Sequence, residues 1–122
     1  VVINETVTNS NIANLTANVL SVQSYILFDS NTFAAAGTNQ GTATLITADN
    51  AYVTSGTGGV ILPVPVIGRE ISITNNTAAG INVYPSSGTS IENAAANTPV
   101  MLPAYATLGV AAKSTTNWWT GY

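Results

Sequence analysis

The sequence predicts an all-β fold: a small antiparallel β-sandwich or jelly-roll-like barrel with an N-terminal arm. Three observations carry this expectation. From Thr42 onward, short apolar segments recur every roughly 8–12 residues, punctuated by Gly, Pro, Asn and Asp. β-branched residues are abundant and helix formers scarce after residue 40. Two segments alternate with period two: Ile71 and Ile73 face away from Ser72 and Thr74 in "REISITN", and Ile81 and Val83 share one face of "GINVYP".

The elements follow in chain order. "TATLITA" (42–48) and "AYVTS" (51–55) flank Asp49-Asn50, a pair suited to a two-residue hairpin turn. "GVILPVPV" (59–66) follows the glycines of "SGTGG", where Gly58 and Gly59 serve a turn rather than a phosphate loop. Pro63 and Pro65 place its second half at a strand end or sheet edge, because proline cannot donate to a ladder. "REISITN" (69–75) and "GINVYP" (80–85) are joined by a polar turn. "TPVMLPAY" (98–105), "ATLGVAA" (106–112) and "TNWWTGY" (116–122) complete the series, with no regular internal repeat. Residues 34–122 are therefore expected to form the β domain.

Residues 1–33 admit two readings. Ile12, Leu15, Val19, Val22 and Ile26 alternate at spacings of 3 and 4, as along a helix face. Asn11, Asn14, Thr16, Asn18 and Ser21 are indifferent helix residues, which favours an extended arm built on "VVINETVTN" and "SYILF". "FAAAGTNQG" (33–41) reads as a connector or wide loop.

Composition narrows the function. Of 122 residues 46% are hydrophobic, which excludes the disorder signature, while only 6% are charged and the net charge is −3. Arg69 and Lys113 cannot neutralise a run of phosphates or form a basic membrane-binding patch, so neither nucleic acid nor membrane is an expected partner. No apolar run approaches the ~20 residues of a helical membrane span. The start "VVINETV" lacks the basic and apolar regions of a secretory signal. With few charges to steer association, partners must be recognised by shape and short-range contact.

The missing residue types also argue against catalysis and against a cofactor. Without histidine or cysteine, the familiar zinc sites and the usual serine and cysteine nucleophile systems lose their ligands and bases. Glycoside hydrolysis needs two carboxylates, but Glu5, Asp29, Asp49, Glu70 and Glu92 are scattered along the chain. Asp29 and Asn31 have the i, i+2 spacing of a calcium loop without its remaining ligands, and an Asx turn at Asp29 is the better reading. Arg69 is read as solvated or as meeting a carboxylate of a neighbouring chain. Trp118 and Trp119 are adjacent on a strand, so one fills the core while the other faces outward, towards a subunit interface, a sugar or solvent.

The stretches "AAAGTNQGTATLITADNAYVTSGTGGVILP", "GREISITNNTAAGINVYPSSGTSIENAAANTPVMLPA" and "TTNWW" carry a resemblance. The G-V-x-L-P segment (Gly59, Val60, Leu62, Pro63), V-Y-P-x-x-G (Val83, Tyr84, Pro85, Gly88), Ile91, Asn97 and the terminal tryptophans resemble a module of tailed-bacteriophage virion proteins, cyanophages included. Ile61 stands where that pattern often has a basic residue. The resemblance runs from roughly Ala34 to Trp119 and implies a capsid decoration (cement) protein, or a head-fibre or fibre-tip module. It further implies a virion location on the outer capsid surface, a homotrimer, and the major capsid protein as partner, with host glycan as the alternative ligand. Shell contact is then expected at Val1, Val2, Ile3 and Val7, and trimer packing at Pro63, Pro65, Arg69, Trp118, Trp119 and Tyr122.

Overall fold

The computed structural model describes residues 27–121 and, before them, Asn14, Thr16, Asn18, Val19 and Ser21. The arm-or-helix expectation for the first 26 residues lies outside the described residues. What is described is all-β, with ten strands: β1 (Ser30–Ala35), β2 (Thr44–Leu45), β3 (Asn50–Gly56), β4 (Gly59–Ile61), β5 (Glu70–Asn75), β6 (Ile81–Tyr84), β7 (Ser90–Ile91), β8 (Val100–Leu102), β9 (Thr107–Ala112) and β10 (Asn117–Thr120). They form a six-stranded sheet in the order β1-β3-β5-β9-β10-β7 and a four-stranded sheet in the order β2-β4-β6-β8.

The sheets are mixed, which corrects the antiparallel expectation: five of the eight strand pairings are parallel. The first six strands alternate between sheets, so the chain makes three turns of a coil. β1, β3 and β5 stack in parallel in the larger sheet, and β2, β4 and β6 stack in parallel in the smaller. Each strand of one sheet serves as the crossover that a parallel pair in the other requires. Consequently Asp49-Asn50 does not close a hairpin. Asn50 opens β3 and pairs with Ser30 on one side and Ser72 on the other. The coil then ends in antiparallel strands, with β8 against β6 and β9 against β5.

Like positions of successive turns stack inward: Ala51 beside Ile73, Val60 beside Val83. Together with Ile46, Leu62, Ile71, Ile81, Ile91, Val110 and Trp118 they make one core drawn from both sheets. Fully burying side chains of this kind contributes roughly 1.5–3 kcal/mol each. The predicted alternation holds, since Ile71, Ile73, Ile81 and Val83 are all buried. β1 lies partly where a connector is predicted, and β7 within a polar stretch given no strand.

Asn75 is the polar exception, wholly buried at the end of β5. Its Nδ2 donates to the carbonyls of Ala79 (2.8 Å), Leu102 (3.2 Å) and Pro103 (3.0 Å). Its Oδ1 accepts from the Thr77 amide and hydroxyl. One side chain thus fixes the two connections that meet at this end of the sheet. The second contains the turn Pro103–Ala106, closed by Ala106 N–H to Pro103 carbonyl at 3.3 Å. Tyr105 sits there with φ +58°, a left-handed conformation that costs a residue with a Cβ about 1–2 kcal/mol.

Candidate functional site

The residues of the resemblance serve the fold. Gly59 must be small: a Cβ there would lie 2.8 Å from the Asn82 carbonyl and 2.8 Å from Cε2 of Tyr84. Val60, Leu62, Val83 and Ile91 are core residues. Pro63 offers its carbonyl to the Trp118 indole N–H at 3.3 Å, and Pro85 offers its own to the Gln40 amide at 2.7 Å. Gly88 turns the chain at φ +80°. Its amide donates to Asn97 Oδ1 at 2.7 Å, and the same oxygen accepts from Gln40 at 3.2 Å. The pattern therefore ties the β4–β5 loop to Trp118 of the larger sheet and joins the loops holding Gln40, Gly88 and Asn97 to one another.

Of the residues expected at interfaces, Val1, Val2, Ile3, Val7 and Tyr122 lie outside the described residues. Pro63 is half-buried and Pro65 buried. Trp118 fills the core of its own chain, fully buried, and Trp119 is the outward, half-buried neighbour. Arg69 is half-buried, and its Nε donates to Asp49 Oδ1 of the same chain at 3.0 Å. The two are brought together because Asp49 leads into β3 and Arg69 into β5, adjacent parallel strands. Both side chains are about a third exposed, so the pair is worth less than about 1 kcal/mol. Near Asp29, Asn31 Oδ1 accepts from the amide of the next residue, Thr32, at 2.9 Å, and the Asp29 carbonyl accepts from the Asn50 amide at 2.9 Å.

Three surface features stand out. The first is a shallow recess of about 110 Å³ lined by Phe28, Asp49, Asn50, Glu70 and Ser72, at the start of β3 and β5. It combines an exposed aromatic ring, two carboxylates, an amide and a hydroxyl. These groups can accept and donate hydrogen bonds to a polar ligand. No group of three or more His, Cys, Asp or Glu capable of holding a metal occurs among the described residues.

The second feature is the loop between β4 and β5. Leu62 is buried, while Val64, Val66 and Ile67 are each more than 60% exposed. Pro63 and Pro65 restrict its backbone. Its far end is held by Arg69 N–H to the Val66 carbonyl and Gly68 N–H to the Ala112 carbonyl, both 2.9 Å. The loop is thus preformed, with three aliphatic side chains outward. The alternation of Pro and Val signals a rigid extended segment in the sequence, but not which side of it meets solvent.

The third is a separation of charge. Asp29 precedes β1, Asp49 precedes β3, Arg69 precedes β5 and Glu70 begins it, and Lys113 follows β9, which runs antiparallel to β5. Five of the six charged residues in the described part therefore lie at one end of the larger sheet; Glu92, which accepts from the Thr120 hydroxyl, is the sixth. The opposite end, with the connections 76–80 and 103–106, holds none among the described residues. Ala78, Ala79, Gly80, Pro103 and Tyr105 are exposed there. The sequence gives no sign of this, since charges far apart in the chain converge only through parallel pairing. No protein-family model and no curated protein matches the chain.

Proposed function

We propose that the chain is a phage capsid decoration protein, a non-catalytic β-sandwich that assembles as a homotrimer on the outer capsid surface and bridges neighbouring major capsid subunits. The carrying observation is the preformed loop Pro63–Gly68, which presents Val64, Val66 and Ile67 on a protein with almost no charge. A rigid aliphatic loop gives a partner apolar contact with little ordering cost. A surface of amides and hydroxyls keeps many copies crowded on one shell from repelling each other. Small contacts suffice when several copies and subunits act together. The resemblance to tailed-phage virion modules supports the same reading.

The test is the copy number of the chain relative to the major capsid protein in gradient-purified particles, by quantitative mass spectrometry. Near one copy per capsid subunit, or a simple fraction of that, is expected; none would refute the virion role. Val66→Asp should weaken binding to particles lacking the protein while leaving the melting temperature unchanged. Deleting residues 1–10 tests shell contact by Val1, Val2, Ile3 and Val7 in the same assay, with weakened binding expected.

The recess favours one second reading, a head-fibre or tail-fibre tip that binds host surface glycan. Phe28 would stack on a sugar face while Asp49, Asn50 and Glu70 bond its hydroxyls. A few dozen copies per particle, and glycan binding lost in Phe28→Ala, would select it.

A further inference from the structure

Tyr105 combines three properties that nothing among the described residues accounts for. Its backbone is held at φ +58°, in the third position of a tight turn, where glycine or asparagine avoids the strain. Its side chain is 71% exposed, so packing within the chain does not offset that strain. The turn is nonetheless rigidly fixed, because the buried Asn75 amide donates to the Pro103 carbonyl and the Asn75 N–H donates to the carbonyl of Ala106. Strain held in place by a buried network, with a large aromatic at its tip, points to a contact beyond the described residues.

The surroundings define what fits there. Met101 is 67% exposed and lies over Gly80, whose Cβ position is 3.1 Å from the Met101 sulfur. The end of the domain that carries these two side chains has no charged residue among the described ones. In a symmetric oligomer, residues near the axis meet their own copies, and a charged residue there meets a like charge. Of the two ends of the larger sheet, the one with no charged residue among those described satisfies this condition, since the other holds Asp29, Asp49, Glu70, Arg69 and Lys113.

We propose that this uncharged end, anchored by Tyr105, is where copies of the chain dock on one another around the axis of a homo-oligomer. It rests on the part of the assembly reading in which copies of the chain associate, and it locates that contact. The loop Pro63–Gly68 precedes β5 and Tyr105 lies beyond its far end, so self-contact and shell contact do not compete.

The experiment is sedimentation equilibrium of the purified full chain beside Tyr105→Gly, Tyr105→Phe and Glu70→Gln. Glycine adopts a positive φ without strain, so Tyr105→Gly removes the ring and keeps the turn. Its far-ultraviolet circular dichroism should match the parent, and its melting temperature at dilutions where both are monomeric should be equal or higher. Its dissociation constant should rise at least about tenfold, as for loss of an interface anchor. Tyr105→Phe and Glu70→Gln should associate like the parent. A parent that stays monomeric overturns the proposal together with self-assembly in the reading above. A parent that associates while Tyr105→Gly associates equally well overturns the proposal alone.

Discussion

Gly59 lies beneath the ring of Tyr84: any Cβ at position 59 would meet Cε2 of Tyr84 and the Asn82 carbonyl, each at 2.8 Å. Gly59 pairs with Asn82 across β4 and β6, one turn of the coil apart, and Tyr84 lies two residues further along β6, diagonally across from Gly59. The close approach couples the G-V-x-L-P segment to V-Y-P-x-x-G and accounts for both being present in one chain.

Gly59→Ala should therefore lower stability by about 1–3 kcal/mol, because the Asn82 backbone carbonyl cannot move aside as a flexible side-chain tip could. Urea denaturation followed by circular dichroism checks this, and an unchanged midpoint would show that the two sheet strands separate easily.

Asn75→Ala removes a buried amide that serves three carbonyls. Leaving such groups unsatisfied costs about 1–3 kcal/mol or more. Amide exchange should also quicken in residues 76–80 and 102–106 before it quickens in the β3 and β5 ladders. Uniform acceleration would mean that Asn75 supports the whole fold rather than this end.

The two tryptophans should respond differently to acrylamide. A Trp119→Phe chain reports the buried Trp118 and should emit to the blue and resist quenching. Trp118→Phe reports Trp119 and should be quenched more readily. Trp118→Ala should cost about 3–5 kcal/mol, since it empties the largest fully buried side chain of the core.

Arg69→Ala and Asp49→Ala should each cost less than about 1 kcal/mol, and less again at high salt, because both partners of the pair are partly solvated. Denaturation at low and high ionic strength reads this directly. A salt-independent loss of several kcal/mol would show that Arg69 supports the β4–β5 loop through its packed stem.

How much was legible in the sequence varies by element. The alternation of Ile71 and Ile73 with Ser72 and Thr74 is a local property of a pleated strand with one face buried, so it survives folding unchanged. The strands from β3 to β6 and from β8 to β10 were readable for the same reason. β1 was obscured because its "SNTFAA" has only Phe33 and alanines to mark an inward face, and β7 because two residues carry no periodicity. At the surface, the prolines of the β4–β5 loop could be read. The recess could not, since Phe28, Asp49 and Glu70 are neighbours only across strands.

The sequence by itself determined the all-β class, most strand positions, the neutral surface and the shortage of catalytic groups, because each follows from composition or period along a few residues. The tertiary structure alone decided the pairing. Asp49-Asn50 has the chemistry of a hairpin turn, yet Asn50 is held between Ser30 and Ser72. Turn propensity is worth little beside the burial gained when Ala51 stacks on Ile73 and Val60 on Val83, contacts distant in sequence. That parallel stacking also gathers the starts of β1, β3 and β5 at one end. It collects the charges there and leaves Tyr105 at the end that has none among the described residues.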